Sequence, residues 1–166
     1  MKKTTAHGRK LARHQATVAD PSSMRRLLNG VQPFTPGEVA ELQLPPRVAL
    51  ESMRTGRGSE MDFSTLACVA NNTLVCAETI HPDCVEVAKV GQDALMTVLD
   101  RHNRLGKWGL DAQALQDLLA VLDLHDQLLE LYTPLQMQNA MKETMRRMAA
   151  GDTLAPEIYN KQPSCA

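Results

Sequence analysis

A chain of 166 residues, 43% hydrophobic and 22% charged, is long enough for one domain with a real core. Aromatic residues are only 3%, so the core must come from Leu, Val, Ala and Met, which suits helices better than sheet and leaves no platform for stacking single-stranded bases. No apolar run approaches membrane-spanning length and no signal-peptide pattern is present, so the expectation is a cytoplasmic protein with no membrane partner.

The net charge of -1 hides an asymmetry. Residues 1–35 hold seven Lys/Arg against the single acid Asp20, whereas residues 36–166 hold eleven against eighteen acids. Residues 1–34 therefore read as a flexible, partly disordered basic arm, with a short helix over 21–28 closed by Asn29-Gly30. Such an arm on an acidic body fits nucleic acid or an anionic partner, and phosphate contacts need only positive charge. Its candidate contact residues are Arg9, Lys10, Arg13, Arg25 and Arg26.

Residues 35–151 read as the helical bundle. Thr35-Pro36-Gly37-Glu38 has the form of a capping box and opens a short helix to about Leu44. Pro45-Pro46 is expected to reset the chain, and a second short helix follows over Pro46–Thr55 with Val48, Ala49 and Met53 inward. Ser59 begins a helix to about Ile80 with Phe63, Ala67, Ala70, Leu74 and Ala77 on one face. After His81-Pro82-Asp83 comes a helix to about Arg104, whose apolar face includes Ala88, Gly91, Leu95, Val98 and His102.

The stretch Leu110 to Gly151 is the expected organising hairpin, two apolar-faced helices packed on each other. Asp111 caps the first, and Leu115, Leu118, Leu122, His125, Leu129 and Tyr132 recur at 3 and 4. Thr133-Pro134-Leu135-Gln136 caps the second, which ends at Gly151. Met137, Met141, Met145 and Met148 lie on one side of it with Ala140, which most often means an inward, core-facing stripe; the alternative is a candidate protein-partner groove, because methionine is common on adaptable binding surfaces. Residues 152–166 read as an irregular tail. The short turns favour antiparallel neighbours, and counting from the turn at 106–109 puts Gly91 opposite His125 and His102 near Gln113.

Few constellations carry chemistry. Arg54-Thr55-Gly56-Arg57-Gly58-Ser59 precedes a helix start, so Arg54 and Arg57 join the candidate anion contacts; a plain helix stop and start explains the same residues. Asn71, Glu78, Gln92 and Asp93 offer a polar cluster, or else Asn71 bonds across helices while Gln92 and Asp93 face water. Cys76, His81 and Cys84 have loosely metal-like spacing without a fourth ligand, and the cysteines read as reduced thiols. No catalytic set, metal site or cofactor motif is recognised, and the chain is read as no enzyme.

Several phrases together resemble a group of small helical proteins carried by plasmids and prophages of proteobacteria. They are Pro46-Arg47 with Arg54-Thr55-Gly56-Arg57-Gly58, Asp62-Phe63-Ser64-Thr65-Leu66-Ala67, Gln92-Asp93-Ala94-Leu95, Gly106-Lys107-Trp108-Gly109 and Thr133-Pro134-Leu135-Gln136-Met137. The resemblance implies a mobile-element origin, with roles such as regulating the element's genes or blocking a host factor. The expectation is an all-α antiparallel helical bundle of about five main helices. It acts as a binding protein on a macromolecular partner, with protein ahead of nucleic acid, and small-residue faces leave a homodimer open.

Overall fold

The computed structural model describes residues 30–154. Five helices follow in order: α1 (Pro36–Arg54), α2 (Glu60–Ala77), α3 (Pro82–Leu105), α4 (Ala112–Leu131) and α5 (Pro134–Ala150). No strand occurs among the described residues, and the helices pack on one another as an all-α bundle. The basic-arm residues Arg9, Lys10, Arg13, Arg25 and Arg26, the short helix over 21–28 and the tail beyond Leu154 lie outside the described residues.

Local chemistry sets the helix ends. Thr35 with Glu38, Ser59 with Asp62, and Thr133 with Gln136 form reciprocal capping boxes, and Asp111 accepts from the amide of Ala114. His81 caps α3 with its imidazole, which accepts from the Asp83 amide. Gly56, Gly106 and Gly151 stop α1, α3 and α5 with left-handed φ of 72°, 67° and 76°. α2 ends at Ala77 rather than near Ile80, and residues 78–80 form the turn.

α1 corrects the sequence reading. It runs unbroken through Pro45 and Pro46. The pair removes the amide donors that the carbonyls of Glu41 and Leu42 would otherwise meet, a loss of about 3 kcal/mol or more for a proline inside a helix. Packing offsets it: Pro46, Ala49, Leu50 and Met53 form one buried face. Val48, expected inward, is 53% exposed because Leu50 takes the core position on that turn.

The organising element is α2 rather than the 110–151 hairpin. α2 packs against α1, α3, α4 and α5, and eleven of its eighteen residues are buried, so it is enclosed on nearly every side. Ala67, Ala70 and Ala77 are fully buried and let the neighbouring helices come close. α4 and α5, expected to pack on each other, meet only in a small cluster of Leu128 and Ala140 built on Val75 and Cys76 of α2. The larger core joins α1, α2, α3 and α4 through Met53, Leu66, Leu95, Leu118 and Leu122.

α3 and α4 are antiparallel, as Gly91 lies against Val121 and Arg101 pairs with Asp111. Gly91 is thus a close-approach site, but its neighbour is Val121, one turn before His125. The register moves because residues 107–111 are non-helical, and chain outside a helix can climb up to ~3.3 Å per residue against 1.5 Å in a helix. The same run brings Trp108, not Gln113, onto His102: the rings stack at 3.7 Å and 5°.

Candidate functional site

A groove of about 350 Å³ opens where four helices meet. α1 contributes Leu42, Pro45 and Pro46. α2 contributes Met61, Cys68, Val69 and Asn72 with the hydroxyl residues Ser64 and Thr65. His125 and Leu129 of α4 and Met137 and Met141 of α5 complete it. The lining is apolar with a few polar groups, the usual make-up of a binding pocket.

Most of those polar groups are already engaged. Ser64 and Thr65 donate back to the carbonyls of Glu60 and Met61, at 2.8 and 2.9 Å. The Cys68 thiol meets the Met141 Sδ at 4.0 Å, and burial pushes its pKa up, so it stays a neutral thiol rather than a nucleophile. No hydrogen bond joins Cys68 to His125. Asn72 takes a hydrogen bond on Oδ1 from the Thr144 hydroxyl at 3.4 Å and offers its amide to the Met137 Sδ at 2.9 Å. A thioether is a weak acceptor.

His125 is 6% exposed, and its Nδ1 lies 3.3 Å from the hydroxyl of Thr73 on α2. Burial lowers its pKa, opposed by the charge of Asp126, so the neutral ring is favoured. Nε2 has no hydrogen-bond partner among the described residues. The one fully buried side-chain nitrogen or oxygen without a partner among the described residues is Nδ1 of His102. Nε2 of His125 therefore reaches the open space of the groove.

Of the four methionines expected to form a partner groove, the structure brings Met137 and Met141 to it. Met145 is 59% exposed on another side and Met148 is half-buried away from it. The buried stripe of α5 is Ala140 and Thr144, because Thr144 pairs with Asn72; Met145 stands one residue, about 100°, further round.

Arg54 and Arg57 sit at the end of α1, away from the groove. Arg54 is held by Glu51 through two 2.7 Å bonds, and Arg57 donates to Thr55 at 3.2 Å. The α2 N-terminus beside them is filled by its own Asp62 carboxylate, which takes both the amide and the hydroxyl of Ser59. Gly58 is required by close approach, since a Cβ there would stand 2.8 Å from Met53 Cγ and 3.1 Å from Trp108 Cβ.

The polar cluster resolves into two separate devices. Asn71, buried, accepts on Oδ1 from Gln92 and from Thr153, each at 2.7 Å, and donates to the carbonyl of Leu154. Gln92 is thus half-buried and bonded rather than a water-facing residue, while Asp93 is exposed. Glu78 instead takes two 2.7 Å bonds from Arg147, which also reaches Glu143 at 2.8 Å. Cys76 is buried, its thiol pushed up to about 11, and no group of three or more His, Cys, Asp or Glu suited to a metal ion occurs among the described residues.

Sequence reasoning missed Pro46, Cys68, Asn72 and Thr73 as site-forming residues. The run Asn71-Asn72-Thr73 inside an otherwise apolar helix was the available signal, because polar residues buried mid-helix require partners from other elements. No protein-family model, no curated protein and no solved structure matches this chain.

Proposed function

We propose that this is a non-enzymatic binding protein that engages a protein partner, such as a host factor met by a mobile element, through the groove between α1, α2, α4 and α5. The supporting observation is the groove's rim. Leu42 and Met61 line it yet are 42% and 68% exposed. A small molecule inside would leave both in water, whereas a partner segment lying across would cover them. Methionines on the rim and wall adapt their shape to such a segment. A cytoplasmic setting is part of this proposal; no described helix is long and apolar enough to cross a membrane.

The test is affinity capture from host lysate with the full chain, with Leu42→Asp/Met61→Asp and with residues 31–166. The expected result is a discrete co-purifying protein that resists raised salt, survives loss of the arm and is lost in the double variant. Capture that follows the arm instead overturns the groove reading.

Nucleic-acid contact through the arm is the second reading, supported by the seven Lys/Arg of residues 1–35. It expects duplex DNA or RNA binding that weakens steeply with salt and disappears in residues 31–166.

A further inference from the structure

We infer that the groove floor is a receptor for a tyrosine side chain presented by the protein partner, with His125 Nε2–H as the hydrogen-bond donor to the phenol oxygen. This rests on the protein-partner reading and adds the chemistry that selects the anchor. The proton position follows from Thr73. That residue is 0% exposed, and the only partner of its hydroxyl among the described residues is Nδ1 of His125. A buried hydroxyl that donates nowhere leaves a polar hydrogen unpaired, so Thr73 donates and Nδ1 accepts. The ring proton then sits on Nε2, the atom open to the groove.

The floor therefore presents a donor that no group among the described residues uses, on a side chain more than nine-tenths buried. Asn72 adds an amide committed only to a thioether. Among the described residues no Lys or Arg lines the groove, so a carboxylate would enter without a countercharge from them, and a neutral oxygen is the better match. The walls are apolar, so that oxygen must ride on an apolar body. A cavity of about 150 Å³ already holds benzene, and about 350 Å³ leaves room for a ring with a para substituent. Tyrosine alone among side chains joins an aromatic body to a distal neutral oxygen, and it is enriched among interface anchors.

The test compares p-cresol with toluene, the side chains of tyrosine and phenylalanine, by NMR titration of the full chain. p-Cresol is expected to bind about five- to tenfold more tightly, as one well-placed hydrogen bond confers, and to shift the His125 Nε2–H resonance. His125→Phe should lose that preference. Thr73→Val, which frees the ring proton to move to Nδ1, should reduce it, and toluene binding by each variant reports that the groove is intact. Equal affinities, or a preference unchanged in both variants, overturn the inference while leaving the protein-partner reading standing. A preference that holds while no captured protein depends on Leu42 and Met61 overturns the partner-borne tyrosine and marks a receptor for free phenols.

Discussion

Gly91 of α3 lies directly beneath Val121 of α4: a Cβ at position 91 would overlap the Cγ2 methyl of Val121 and stand 3.2 Å from its Cβ. A helical glycine costs about 1 kcal/mol relative to alanine, so without this contact Gly91→Ala would stabilise the protein. With it, Gly91→Ala is expected to destabilise by about 1–3 kcal/mol, as overpacking does. Val121→Ala in the same chain should recover part of the loss, which a double-mutant cycle by urea unfolding reads as coupling. Additive effects would mean that the two positions are not in contact.

Asn71 ties Thr153 and Leu154, just after α5, to the bundle. Replacing it with Leu leaves Gln92, Thr153 and the Leu154 carbonyl without their partner. The expected cost is about 1–3 kcal/mol in urea unfolding. Hydrogen exchange should quicken at residues 151–154 before the helices loosen. Unchanged exchange there would separate the network from the anchoring of this segment.

Glu143 carries an acid-sensitive contribution to stability. Hydrogen bonds from Arg146, then Arg147, hold its pKa down to about 2 from an ordinary 4.5, and Arg147 also lowers Glu78. A depressed carboxylate stabilises the fold above its unfolded pKa and loses that contribution as pH falls through the folded value. The stability attributable to these residues should therefore decline between pH 4.5 and about 2. Arg147→Met should flatten this decline while costing little at neutral pH, since solvent screens these partly exposed pairs.

His125 acts in a higher window. Burial holds its pKa below 6.5 in the folded protein, so below that pH the unfolded chain takes up a proton that the folded chain refuses. Stability should fall as pH drops below 6.5, and His125→Phe should remove that part of the slope. Trp108, the single tryptophan, stacked between Phe63 and His102, gives the unfolding signal.

Pro45 is exposed within α1. Pro45→Ala returns an amide donor to the Glu41 carbonyl, so it should raise stability by about 1–3 kcal/mol. A decrease would show that the ring itself makes a contact the helix needs.

The fold was legible where the signal is local. Thr35, Ser59, Asp111, Thr133 and Gly151 mark helix ends through hydrogen bonds to residues two to four positions away, and all five are in place. What depends on distant packing was less so. Pro45-Pro46 looked like a break because proline costs helix bonds, yet the burial of Pro46, Ala49, Leu50 and Met53 against α2 and α4 overrides it. The α3–α4 register slipped by a turn because the five non-helical residues 107–111 are not bound by helical counting. On α5 methionine hydrophobicity suggested the inward face, whereas Thr144 holds it through Asn72. Half of the methionine groove was therefore visible beforehand, while its floor, set by Thr73 and His125 across 52 residues, was not.

The most direct test of the groove as the working surface is site-specific photo-crosslinking in host cells. A photoreactive residue would replace Met61 on the rim in one variant and Asp93, exposed on α3 away from the groove, in another. A discrete protein adduct is expected from position 61 and none from position 93. Adducts of equal yield from both positions, or from position 93 alone, would contradict it.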